Sequence, residues 1–327
     1  MEDISACENK ILQINTSDDN TIINEGTAIV EDIKPVLIEQ SIKKSADFDT
    51  LVISGNSVKG IVTLGALQYA TDNFLLNKIT TLIGTSCGAM CCYLLAIGYT
   101  PIEIIVYICT NQIFEKLQQF NVIAMLNGSG ASSFITIQEQ LEKMTISKVG
   151  KFLTLKDIKT MFNKTLICVS HNITTNKTEY LGPDNYPDLP CLIAIRMSSN
   201  LPLVFDHYKY DGNFWLDGGI SNNFPINKGC ELGNKILGIF VKRENEEFKV
   251  DSNILEYIYK LMFIPIDKSQ EYMIEQSLEK YNKKDDTVLL QLCFSKFKFF
   301  DFSANSIDKL EMFSAGYQQA SEILSKI

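Results

Sequence analysis

Thr80-Thr81-Leu82-Ile83-Gly84-Thr85-Ser86-Cys87-Gly88-Ala89 runs from an apolar, β-branched stretch into Gly-x-Ser-x-Gly, and a second apolar stretch follows over residues 90–97. That order predicts a strand, a sharp turn and a buried helix. Gly84 and Gly88 let strand and helix close on each other. Ser86, at the tip, then presents its hydroxyl over a helix N-terminus whose free N–H groups favour a developing negative charge. The spacing marks Ser86 as a candidate nucleophile. A glycine-lined turn with an ordinary N-cap serine is the other reading of the same residues.

Upstream, residues 49–53 are a short apolar run of the kind that makes a buried parallel strand. It ends in Ser54-Gly55-Asn56-Ser57-Val58-Lys59-Gly60, and a helical pattern covers 61–76. Strand, glycine-containing loop, helix, strand is a right-handed βαβ unit, which puts the 55–60 loop and the Ser86 turn at the same carboxyl edge of a sheet. Downstream, Pro101 opens a helix at its first position. Residues 127–133 read as a flexible loop, 134–144 and 155–162 as helices, and 166–170 as a strand. Asn176-Lys177 turns into 178–181, and a helix over 191–199 stops before Pro202. An Asp211-Gly212 hairpin joins 208–210 to 213–216 and delivers Asp217-Gly218-Gly219. A strand over 235–241, a helix over 252–281, a strand over 288–294 and an amphipathic helix over 306–325 complete the chain. The aromatic, lysine-interleaved stretch 293–302 reads as an edge strand whose lysines block further pairing.

Residues 1–46 are polar and form an N-terminal extension with a short helix near 35–44. Residues 47–327 read as one domain, with the motifs in 49–241 and the C-terminal strand and helices in 242–327. Hydrophobic residues make up 46% of the 327 and charged residues 21%, the balance of a globular protein. A net charge of −9 disfavours nucleic acid as the main partner and gives no general attraction to anionic lipid. The N-terminus shows no secretory pattern, and the apolar stretch 90–109 is interrupted by Gly98, Pro101 and Glu103, which fits two core helices. Nine cysteines without a CxxC pair indicate reduced thiols in a cytoplasmic protein, with no metal site and no cofactor.

A serine nucleophile needs a base. The two histidines, His171 and His207, both precede Asp217, so a Ser–Asp–His order would have to use Asp184 or Asp188 with His207. The alternative is a dyad in which Asp217 takes the serine proton directly, with Gly218 and Gly219 leaving room for the serine turn. Backbone N–H groups of the 55–60 loop, around Asn56 and Ser57, are placed to form an oxyanion hole. Lys59 adds a charge that steadies the loop or meets a lipid phosphate.

Gly55-Asn56-Ser57-Val58-Lys59-Gly60, Gly84-Thr85-Ser86-Cys87-Gly88 and Asp217-Gly218-Gly219 resemble, in order and spacing, the three signatures of patatin-like phospholipases. Residues 195–202, Ile220-Ser221-Asn222-Asn223-Phe224-Pro225-Ile226 and Asp301-Phe302-Ser303 resemble further stretches of that family. The resemblance implies a three-layer α/β/α sandwich with a mostly parallel, mixed central sheet. It also implies a Ser86–Asp217 dyad, an oxyanion hole in the loop bearing Gly55, Asn56, Ser57, Lys59 and Gly60, and a nucleophile turn framed by Gly84 and Gly88. The implied activity is calcium-independent hydrolysis of acyl esters of phospholipids or other lipids, with peripheral membrane contact. Asn56 and Ser57 stand where the family usually has glycine, which bears on rate and substrate range. Transfer of the acyl group to an acceptor other than water, and a catalytically silent lipid-binding role, are the other readings.

Overall fold

The computed structural model describes residues 47–117, 130–243, 254–296 and 302–326. The expected extension over 1–46, residues 127–129 of the expected loop and residues 297–301 of the aromatic stretch lie outside the described residues. β1 (Thr50–Ile53), β2 (Thr81–Thr85), β3 (Thr165–Asn172), β7 (Ile236–Val241) and β8 (Thr287–Leu292) are parallel, while β4 (Lys177–Leu181), β5 (Tyr208–Tyr210) and β6 (Asn213–Asp217) form antiparallel pairs. The eight strands follow the order β5-β6-β3-β2-β1-β7-β8, with β4 also on β3. This is the mixed α/β sheet expected.

β1 and β7 are buried along their whole length, as strands covered on both faces must be. Alternate side chains divide the core. Val52, Ile83, Ile167 and Val169 join Phe224, then Ile226 and Cys230 of α9 (Ile226–Leu232), with Ile274 and Leu278 of α10 (Ile254–Lys280) packed against them. The other face is covered by α1 (Gly60–Asp72) and α2 (Cys87–Ala96), and α11 (Ser306–Leu324) lies against α1. Those two helices cross at glycines: a Cβ on Gly65 would stand 1.9 Å from the Phe313 carbonyl oxygen, and one on Gly316 1.8 Å from that of Val62.

α3 (Pro101–Thr110) starts with Pro101 at its first turn and a Thr100–Glu103 capping box, which satisfies N–H groups that the helix leaves unpaired. α2 and α3 meet at a bend of 119°, and among the described residues no single helix is long and apolar enough to cross a membrane. α5 (Ile135–Val149) and α6 (Leu155–Phe162) follow the sequence pattern, as does α7 (Cys191–Ser198). α4 (Ile113–Leu117), α8 (Gly219–Asn222) and α9 were not expected. Of the edge strand expected over 293–302, the described residues 293–296 are not strand, which is a correction: β8 ends at Leu292, where Gln319 of α11 takes both backbone groups of Cys293.

Candidate active site

β3 sets the geometry of the site. Thr85, the last residue of β2, pairs with Val169, and Asp217, the last residue of β6, pairs with Ser170, the next position along β3. β4 occupies residues 168–172 on the opposite edge, so β2 and β6 share one edge of β3. One runs parallel to β3 and the other antiparallel, so their carboxyl ends meet. Ser86 follows one end and Asp217 closes the other, which brings the Ser86 hydroxyl close enough to the Asp217 carboxyl to favour its charged form.

Ser86 sits at φ 56° and ψ −124°, a conformation that non-glycine residues rarely adopt and that costs on the order of 1–3 kcal/mol. The surroundings hold it there. Its N–H donates to Ser198 Oγ at 2.9 Å, and Ser198 Oγ donates to the Val169 carbonyl. Its carbonyl accepts from Ala89 and Met90 in the first turn of α2. Gly84 and Gly88 fit the expected turn: a Cβ at 84 would lie 2.5 Å from backbone atoms of Gly88 and Ala89, and one at 88 would lie 2.6 Å from the Ile53 carbonyl oxygen.

Asp217 is 4% exposed. Burial pushes its carboxyl up to about 6, opposed by the Ser86 hydroxyl, the Gly219 N–H on Oδ1 at 2.7 Å, and the positive charge of Arg243. Gly218 is required by close approach, since a Cβ there would stand 2.2 Å from the Val169 carbonyl oxygen. The segment after α7 serves both groups, because the Ser198 and Asn200 carbonyls accept the N–H groups of Gly218 and Asp217. Asn200 is itself pinned by Arg196 and by the Trp215 carbonyl. The sequence pattern shows Ser198 and Asn200 but not this role, which depends on a contact between distant segments.

The 55–60 loop lies beside the turn. A Cβ on Gly55 would stand 3.2 Å from Ser86 Cβ. Two of its expected oxyanion donors are engaged elsewhere: the Gly55 N–H donates to the Asn223 carbonyl, and that of Gly60 to the carbonyls of Ser57 and Val58. The Asn56 N–H donates instead to the Cys87 sulfur at 3.1 Å, and the Ser57 N–H lies beside the same thiol. Ser57 takes φ 48°, the glycine-like conformation its position requires. The Asn56 side chain is fully buried between Ser54, Thr63 and Val241 and lies outside the cavity. Lys59 is 2% exposed and does not line the cavity, so its charge steadies the fold and does not face a lipid phosphate.

Ser86 and Asp217 stand at the head of a cavity of about 190 Å³, whose walls carry Met90, Leu94, Ile104, Ile108 and Leu141. His207 is exposed, and neither histidine lines this cavity. Asp184 pairs with Lys159 on the surface. The imidazole alternative therefore has no geometry to act through. Among the described residues, no group of three or more His, Cys, Asp or Glu side chains is arranged to hold a metal ion.

A family model described as patatin-like phospholipase matches residues 51–228. A probable lipid hydrolase, 463L, of Invertebrate iridescent virus 6 is 34% identical over 194 residues, 58% of this chain and 65% of that protein. The match therefore spans just under two thirds of that relative. An uncharacterized protein, R571, of Acanthamoeba polyphaga mimivirus is 26% identical over 232 residues, 70% of this chain and 74% of its own. The crystal structure of VipD from Legionella pneumophila superposes with a TM-score of 0.51 at 16% identity, covering 86% of this chain and 67% of that one, a likeness of fold alone.

Proposed function

Since this chain belongs to the patatin-like phospholipase family, a lipid hydrolase family, we propose that it cleaves carboxylic acyl esters of glycerophospholipids and related lipids, with phospholipase A-type chemistry, through a Ser86–Asp217 dyad. One observation carries this reading: a serine hydroxyl beside a buried carboxylate at the mouth of an apolar cavity. In the first step Ser86 Oγ attacks the ester carbonyl carbon while its proton passes to Asp217. The tetrahedral intermediate collapses, the bond to the lipid alcohol breaks, and that alcohol leaves with the proton from Asp217. Asp217 then takes a proton from water, whose oxygen attacks the acyl-serine. Collapse releases the fatty acid and restores Ser86.

The oxyanion has two sources of stabilisation. The N-terminus of α2 supplies a partial positive charge, and the N–H groups of Asn56 and Ser57 are held by nothing stronger than a thiol sulfur, a weak acceptor. A negatively charged oxygen outcompetes that sulfur for both donors. Substrate enters from a lipid surface: beside cavity residue Phe263, the side chains of Leu261 and Ile264 are 50% and 44% exposed.

The test is fatty-acid release from phosphatidylcholine vesicles. Ser86→Ala and Asp217→Asn should each lower it by about a thousandfold or more, and EDTA should leave the wild-type rate unchanged. Release that survives in either variant removes that residue from the mechanism.

A further inference from the structure

Among the described residues, the cavity below Ser86 is apolar except at one place. Thiols aside, its other polar lining side chains among the described residues, those of Ser57, Ser86, Ser199, Asp217 and Asn223, come from the segments that surround the catalytic pair. Gln140 stands apart from them on α5. It is 4% exposed, and it lines the cavity next to Ile137, Leu141 and Met144 of the same helix and opposite Ile104 and Ile108 of α3. The Tyr107 hydroxyl of α3 donates to its Oε1 at 2.9 Å. The hydrogen bonds among the described residues end there, and no acceptor takes the hydrogens of Nε2.

The depth of that amide follows from two contacts. Met90 of α2 packs on the cluster around Phe134, just before α5, and the Tyr93 hydroxyl meets that of Thr145 on α5 at 2.8 Å. Gln140 lies between Phe134 and Thr145, alongside the stretch from Met90 to Tyr93. The amide therefore faces the acyl chain beyond the ester and not the ester itself.

An unsubstituted acyl chain that fills the cavity strips this amide of water and gives it nothing in return, which is unfavourable for a buried donor. An oxygen substituent at the same depth satisfies it. A hydroxyl suits best because it both donates and accepts. A carboxylate does not suit, because no cationic side chain lines the cavity among the described residues.

Building on the reading of this cavity as the acyl site, we propose that Gln140 is a specificity-determining residue that selects acyl chains carrying a mid-chain hydroxyl. The amide rewards the hydroxylated chain and penalises the plain one, so the effect is a ratio between two substrates and not a change in overall rate.

The experiment compares kcat/KM for nitrophenyl decanoate and for the same ester with a mid-chain hydroxyl. The wild-type protein should favour the hydroxylated ester by about tenfold, the worth of one neutral hydrogen bond in a buried site. Gln140→Leu, or Gln140→Met if the first variant does not fold, should bring the ratio to one or below. A wild-type ratio at or below one, or a ratio that survives in the variant, overturns the proposal. Nitrophenyl butyrate, too short to reach Gln140, reports separately whether the wild-type site hydrolyses esters at all. If it does not, the catalytic reading fails, and displacement of a fluorescent fatty acid by decanoic or hydroxydecanoic acid still decides the pocket. Tighter binding of the hydroxy acid supports the proposal, and equal or weaker binding ends it.

Discussion

Replacing Asp217 with asparagine should stabilise the protein at neutral and alkaline pH relative to acid, and the size of the shift follows from the site. The carboxyl of Asp217 is raised from 3.8 to about 6, first by burial. A folded-state value above the unfolded one means that the stability this group contributes is fully present below about pH 4 and is lost as pH rises through about 6. The step is worth about 3 kcal/mol, at about 1.4 kcal/mol per pH unit. The asparagine side chain is neutral at every pH, so the stability of Asp217→Asn relative to wild type should rise by about 3 kcal/mol between about pH 4 and pH 8. Asparagine also exchanges an acceptor for an N–H beside the Gly219 N–H and the Ser86 hydroxyl, but that cost is the same at both pH values and cancels in the comparison. Urea unfolding of both proteins across this range measures the difference. A difference that stays flat with pH would refute the argument that Asp217 is held as a costly buried charge.

The same electrostatics predict the activity profile. The acid limb of wild-type kcat/KM should titrate near 6, and Arg243→Gln should move it to higher pH, because Arg243 is the positive charge that opposes the rise of Asp217. An unmoved limb would remove Arg243 from the account. Gly84→Ala places a Cβ 2.5 Å from the backbone of Gly88 and Ala89, and should destabilise the fold by more than about 3 kcal/mol in thermal or urea unfolding. Burial pushes the Cys87 thiol up to about 12, so iodoacetamide at neutral pH should leave it unmodified in the native protein and alkylate it in urea. Rapid alkylation of the native protein would show the thiolate to be accessible.

The parts of the fold that repeat a local rule were legible in the sequence. β1, β2 and the Ser86 turn are apolar runs closed by glycine, and the Asp211-Gly212 turn set the hairpin that ends at Asp217. α8 and α9 escaped because four and seven residues are too few to show a helical period. Residues 293–296 looked like strand because nothing local reveals that Gln319 will take the Cys293 backbone. At the site, residue types named Ser86, Asp217 and the 55–60 loop, but the direction of each N–H could not be read. Gly55 and Gly60 spend theirs within the scaffold, and Asn56 turns its own to the sulfur of Cys87, one residue past Ser86, with that of Ser57 beside it. The roles of Ser198, Asn200 and Arg243 were invisible for a related reason, since each depends on a meeting of segments that the local pattern does not announce.

Labelling with a fluorophosphonate probe, followed by peptide mapping, reaches the central claim most directly, because the probe reports an activated serine without requiring the natural lipid. The Ser86 peptide should carry the label in wild type. Ser86→Ala should carry none, and Asp217→Asn should label at least about a hundredfold more slowly, as expected when a general base is lost. Labelling at another serine, or an undiminished rate in Asp217→Asn, would contradict a Ser86 nucleophile served by Asp217.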